Sequence, residues 1–380
     1  MHITNIRKLS SIEYIKGLDG VRAIAVLLVI IHHYLMPFSI YLTHGILGNL
    51  TVMLAKVGWV GVDMFFVISG FLITQILIKR PVNDFQDYIV YITNRAWRLL
   101  PAYVICLLVF TFVAFELNPN SKVLNNSASL WLLISNLQSS FVDRTAFMDN
   151  QFSLIHFWSL ALEWHFYVII PLLFWLLRSY WLVASMLLIV AIVTRLTFQN
   201  AGISDNAIYA FTLCRLDAFA MGIFLSVIAP KIRHQFIHIL SIAGVALFVS
   251  SLLMIAFNAN PFKKIAWLQS YGYTIIALGF ALALLSIITN QAKSLVGILE
   301  SKILVGIGRR SYSLYIWHLV FFPLITQTIV SYKLETYTTI ALVLITASLL
   351  SLITTLISYQ WIETKCYAIY HQAIKIKSDV

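Results

Sequence analysis

Eight ionisable side chains sit inside long apolar runs of this chain: Arg22 and His33, Asp63, Glu163 and His165, Arg215 and Asp217, and His318. An ionisable group at the centre of a bilayer costs at least a few kcal/mol, so each is a functional candidate by default. Arg22 and His33 are eleven residues apart. At about 100° per residue they fall within about 20° of one helical stripe, with a rise of about 16 Å between them. The stripe thus carries a guanidinium near one membrane interface and, near mid-membrane, an imidazole, the side chain that titrates closest to neutrality. His32 points about 80° away. A snorkelling arginine paired with lipid phosphate, and a histidine bonded to a neighbouring helix, account for the same spacing.

Arg95 and Arg98 are three residues apart and share a helix face, and two guanidiniums so placed suit phosphate, of a ligand or of a lipid headgroup. Ser159, Glu163, Phe166 and Tyr167 follow the i, i+4, i+7, i+8 pattern of one face. Ser311, Tyr315 and His318 form another polar stripe after the basic pair Arg309 and Arg310. Arg215 and Asp217 project to different sides of their helix, so each needs a partner elsewhere, and Asp63 is available to Arg215 or to His33. These groups imply a polar network across helices, suited to structural glue or to a proton relay.

The elements that must position them follow from composition. Of 380 residues 60% are hydrophobic and 11% charged, against roughly 45–50% and about 25% in soluble proteins. Too few charges remain to cover a water-soluble core, so lipid must solvate much of the surface. The net charge of +11 does not indicate nucleic acid, because the basic residues lie in short clusters between apolar runs. Three cysteines make neither a disulfide framework nor a metal pattern, and no metal site is expected.

A bilayer core of about 30 Å needs about 20 apolar residues. That ruler predicts an all-α polytopic membrane protein with ten spans, near 20–41, 58–78, 99–116, 158–177, 180–195, 207–229, 236–258, 266–289, 311–330 and 338–359. The first is expected to be a retained helix, since no cleavage site follows it. With both termini in the cytoplasm, 17 Lys and Arg fall inside and seven outside, among the latter Arg195, as the positive-inside rule requires. The largest external loop is then 117–157 and the largest internal one 79–98. The expected organisation is a cytoplasmic segment over 1–18, a transmembrane domain over 19–363 and a cytoplasmic tail over 364–380.

Taken in order, the motifs resemble the acyltransferase-3 family of bacterial membrane acyltransferases. The resemblance is carried by GLDGVRAIAVLLVIIHH (17–33), where Arg22 and His33 fit an arginine, ten residues, histidine signature, and by GVDMFFVISGFLI (61–73) and RAWRLLPAY (95–103). It continues through FWSLALEWHFYVIIPLL (157–173), RLDAFAMGI (215–223), SYSLYIWH (311–318) and SYQWIE (358–363). Thr364 stands where the family often has proline after Glu363. Some members carry a further SGNH-type esterase domain, and this chain is expected to be the single-domain form.

The resemblance implies a bacterial inner-membrane O-acyltransferase with acetyl-CoA, or another acyl-CoA, as cytoplasmic donor substrate rather than a permanently bound cofactor. The implied acceptor is a hydroxyl of a glycan or glycolipid, such as a lipopolysaccharide or other surface polysaccharide. Arg22, Arg95 and Arg98 would meet the phosphates of CoA. His33, with Arg22 and Glu163, would be catalytic, as general base or as carrier of the acyl group. Asp63, Arg215, Asp217, Tyr315, His318 and Glu363 would form the structural or substrate-binding polar network. Membrane lipid is the other expected partner. The competing classes are a proton-coupled transporter or flippase built on the same network, against which no paired repeats are found, and an inactive scaffold on the same fold.

Overall fold

An apolar run inside lipid has no water for its backbone N–H and C=O groups, so it closes its own hydrogen bonds as helix. The structure, a computed structural model, describes residues 14–43, 45–258 and 264–379. Arg7, Lys8 and Lys263 of the charge count lie outside the described residues, as do the side chains of Arg144, Lys375 and Lys377. Among the described residues nine helices are long and apolar enough to cross a bilayer. They are Leu18–Tyr41, Val60–Lys79, Phe85–Leu117, Phe157–Leu177, Tyr180–Asn200, Thr212–Lys231, His234–Ala256, Leu268–Ile288 and Thr336–Tyr370. A bent pair, Ser311–Trp317 and Phe322–Val330, lies between the eighth and the last and makes a tenth span if its two halves cross as one. The protein is an all-α polytopic membrane protein.

The expected ninth span, 311–330, is thus not one straight helix: its halves meet at 49°. The carbonyls and amides released at the break find partners on other elements. Tyr34 Oη donates to the His318 carbonyl at 2.7 Å, Ser153 N to the Val320 carbonyl at 3.1 Å and Leu324 N to the Gln151 carbonyl at 3.0 Å. Such a break is tolerated at membrane depth because protein surrounds it. Hydropathy cannot register it, since its partners are distant in sequence.

Most of the internal loop expected at 79–98 is helix. The third span starts at Phe85, capped by Asp84, whose side chain accepts from Asp87 N at 2.8 Å. Its 33 residues reach about 50 Å, well beyond the hydrocarbon core, and carry Arg95 and Arg98 about three to four turns from its start. The stretch 117–157, expected to be external, is folded as well. Val123, Leu130, Phe147, Phe152 and Leu154 make a second core with Phe110 and Ile316. A short apolar helix, Gly45–Val57, lies between the first two spans. At the other end the last helix passes through Ser358–Glu363 into Thr364–Asp379, so the expected tail is helical in continuity with its span.

Arg195 is a correction. Expected in an external loop, it lies inside Tyr180–Asn200, fully buried, because Asp217 on the next span offers it a carboxylate at 2.7 Å. Close helix contact is set by small residues. A Cβ on Gly70 would collide with the Phe219 carbonyl, and one on Gly222 with the Val67 carbonyl, so the second and sixth spans touch backbone to backbone.

Candidate active site

The first four spans, the ninth region with Arg309 before it, and the last helix enclose a cavity of about 960 Å³, counted to its open mouth. Its walls carry Arg22 from the first span, Ser69 from the second, Arg95 and Arg98 from the third, and Ser159, Glu163 and Tyr167 from the fourth. Arg309, Tyr312 and Tyr315 come from the ninth region and Glu363 from the last helix. Four guanidiniums therefore face two carboxylates, and the carboxylates are taken by hydroxyls. Glu163 accepts from Ser69 and Tyr167, and Glu363 from Ser313. Among the described residues Arg22 has only a long ion-pair contact, to Asp19 at 3.8 Å, and Asp19 also holds Arg309 at 3.3 Å. Among the described residues no carboxylate lies within ion-pair distance of Arg95 or Arg98, and Arg95 Nε is buried without a hydrogen-bond partner. Uncompensated, partly desolvated guanidiniums converging on one space are the arrangement that binds a polyanion, phosphate above all.

Beyond this cavity lies a group of three histidines. His33 Nδ1 is 2.9 Å from His318 Nε2, and the His156 ring lies 4.7 Å from that of His318 and 6.2 Å from that of His33, centre to centre. His33 does not line the arginine cavity. Tyr315 belongs to both places: it lines the cavity, its hydroxyl lies 2.6 Å from Ser159 Oγ, and its ring is 5.7 Å from His318. His32, by contrast, spends Nδ1 on the Ala55 carbonyl at 2.7 Å.

The remaining charges form two buried pairs apart from the cavity. Arg215 pairs with Asp63 under the rings of Tyr273 and Tyr209. Asp217 pairs with Arg195 and accepts from Thr274. His165 bonds Thr212, away from the cavity, at 3.0 Å.

The residues singled out from sequence thus divide into three places. Arg22, Arg95, Arg98, Glu163 and Glu363 meet in the cavity; His33 and His318 meet beyond Tyr315; Asp63, Arg215 and Asp217 are structural ion-pair partners. His156, Ser69 and Arg195 were missed. Ser69 and His156 carry no periodic signal, but Arg195 had one: Asp217 needed a cation from another helix, and Arg195 is a basic residue in the neighbouring run.

These observations define a polytopic α-helical membrane protein built around a basic, membrane-embedded cavity. Residues 15–359 match the Acyl_transf_3 family, described as an acyltransferase domain, and the chain belongs to this acyltransferase-3 family. It is similar to the O-acetyltransferase OatA of Staphylococcus aureus strains NCTC 8325 / PS 47, COL and MRSA252. Each is 28% identical over 377 residues, a stretch that covers 94% of this chain and 58% of the relative. The chain therefore spans well under two thirds of the length of these curated relatives. No solved structure matches.

Proposed function

We propose that this chain is a membrane O-acyltransferase that moves an acyl group, acetyl in the first instance, from cytoplasmic acyl-CoA to a hydroxyl of a cell-surface or lipid-linked glycan. O-antigen and exopolysaccharide are acceptors of that kind. The observation that carries the reading is the convergence of Arg22, Arg95 and Arg98 on one cavity, with no carboxylate within ion-pair distance of Arg95 or Arg98 among the described residues, at the base of the same helix that bears His33. CoA carries a diphosphate and a ribose phosphate, which three guanidiniums can hold while the pantetheine arm extends about 16 Å along the first helix. The acceptor hydroxyl is too weak an acid to ionise alone near neutral pH, so His33 takes its proton as the oxygen attacks the thioester carbonyl. The C–S bond then breaks, and the CoA thiolate leaves and recovers the proton. Glu163, between the arginine cavity and a smaller one beside it, fixes the Ser69 and Tyr167 hydroxyls along the path.

We further propose the bacterial cytoplasmic membrane as the location, with both termini inside. With Arg195 buried in a span, the basic residues divide 17 inside to six outside.

The test is acyl transfer by purified protein with no ion gradient, followed by mass spectrometry of the glycan. Transfer is expected from the unaltered protein, near its level from His32→Ala, and none from His33→Ala. Acyl-CoA consumption unchanged in His33→Ala would overturn the assignment of the base. Solute movement that requires a proton gradient, without acyl transfer, would favour a transporter.

A further inference from the structure

The hydrogen-bond directions around the histidines fix more than their proximity. His318 Nδ1 lies 2.7 Å from the Tyr315 backbone carbonyl. A carbonyl oxygen only accepts, so Nδ1 carries the proton. A neutral imidazole has one N–H, so the lone pair of His318 sits on Nε2. That atom is 2.9 Å from His33 Nδ1, which must therefore be the donor. We propose that His318 is a positioning residue that holds His33 in its Nδ1–H tautomer, so that the base which takes the acceptor proton is His33 Nε2. The proposal deepens the reading of His33 as general base and rests on it.

The rest of the group supports this arrangement. The His318 ring is buried and sits at the break of the ninth span, where Tyr34 Oη ties its carbonyl at 2.7 Å. His156 packs its ring against His318 at 4.7 Å and directs its own Nε2 to the Ile316 carbonyl at 3.1 Å, so it does not compete for His318 Nε2. The relay runs from the Tyr315 carbonyl through His318 to His33. Once Nε2 of His33 takes the proton, the imidazolium keeps its Nδ1–H on the His318 lone pair, which stabilises the new charge. In water the neutral ring favours the other tautomer, so the structural neighbour, not the intrinsic preference, selects the reactive nitrogen.

The test joins a spectroscopic and a kinetic readout on the full chain in lipid nanodiscs. Nitrogen-15 NMR of histidine-labelled protein, assigned with His33→Ala and His318→Ala, is expected to show a protonated Nδ1 and an unprotonated Nε2 on His33. In His318→Ala that preference is expected to be lost. An Nε2–H form of His33 in the unaltered protein, or a doubly protonated His318, overturns the proposal. In kinetics, His318→Ala is expected to lower kcat by about 100-fold or more, as misplaced tautomers do, with KM for acyl-CoA unchanged. His318→Gln, whose amide oxygen still accepts from His33, is expected to recover at least about tenfold of that loss. Equal rates for the Ala and Gln variants overturn the positioning role. If His33→Ala itself retains transfer, the general-base reading fails instead, whatever tautomer the spectra report.

Discussion

Tyr315 Oη and Ser159 Oγ meet at 2.6 Å on the wall of the arginine cavity, and the same tyrosine ring lies 5.4 Å from His156 and 5.7 Å from His318. This one hydroxyl contact stands where the space that suits CoA adjoins the group that contains the base. On the proposed reading, a thioester moving from the arginines to His33 passes this contact. Ser159 keeps a second bond, to the His156 carbonyl at 2.9 Å, so the pair can part without orphaning the serine. The loss of one neutral hydrogen bond is worth about 1 kcal/mol.

Tyr315→Phe removes the hydroxyl and keeps the ring, so the fold is expected to survive with a melting temperature close to the unaltered protein. The barrier between the two halves is expected to leak. Acyl-CoA hydrolysis without acceptor should rise relative to acyl transfer, by a factor of about five for about 1 kcal/mol. Thiol release with and without added glycan measures that ratio, and an unchanged ratio means that the contact does not control passage.

Arg95 and Arg98 make a separate prediction because, among the described residues, neither has a carboxylate within ion-pair distance. Charge-assisted contacts to phosphate are worth about 1.5–3 kcal/mol each. Arg95→Ala should therefore raise KM for acyl-CoA by at least about tenfold, while KM for the glycan stays near its original value. Arg98 is the more exposed of the two, so its loss should be the milder. Competition by free CoA reads the donor side directly, and an effect confined to the glycan would contradict this placement.

Arg195 and Asp217 are both buried, at 2.7 Å, and the arginine also donates to the Cys214 carbonyl at 2.6 Å and to Thr274 at 2.6 Å. Removing one partner leaves an uncompensated charge, a loss of about 3–5 kcal/mol. Asp217→Leu alone is expected to reduce the amount of folded protein or its thermal midpoint in detergent sharply. The double variant Arg195→Leu with Asp217→Leu should regain much of that loss, because no lone charge remains. Strictly additive effects would show that the two side chains do not depend on each other.

That pair also shows how far the sequence could be read. Long apolar runs located the helices because a bilayer sets their length, and the need of Arg215 and Asp217 for partners followed from their spacing of two. Which partners they take is a matter of packing between spans, so Arg195 was assigned to a loop from its position near the end of an apolar run. Arg22 and His33 lie on one helix, as their spacing required. Only the fold brings Arg95, Arg98 and Glu363 to Arg22 from helices far apart in sequence. His156 and Ser69 had no signal of their own. A histidine just outside a span and a serine inside one are ordinary, and their meaning comes from His318 and Glu163.

The sidedness of the site gives the last prediction. Arg22, Arg98, Arg309 and Glu363 line one cavity, and the positive-inside assignment puts the helix ends that carry Arg22, Arg98 and Arg309 toward the cytoplasm. His33 lies about 16 Å further along the first helix, close to the end where the folded 117–157 segment supplies His156. On the proposed reading, donor and acceptor approach His33 from opposite faces, and the acyl group crosses while the CoA phosphates stay with the arginines. Sealed vesicles of defined orientation test this. Added acetyl-CoA, which is too polar to cross lipid, should support transfer in inverted vesicles, where the cytoplasmic face is accessible. Right-side-out vesicles should remain inactive until detergent opens them. Equal activity in both orientations before detergent would falsify the two-sided arrangement, since one face would then suffice for both substrates.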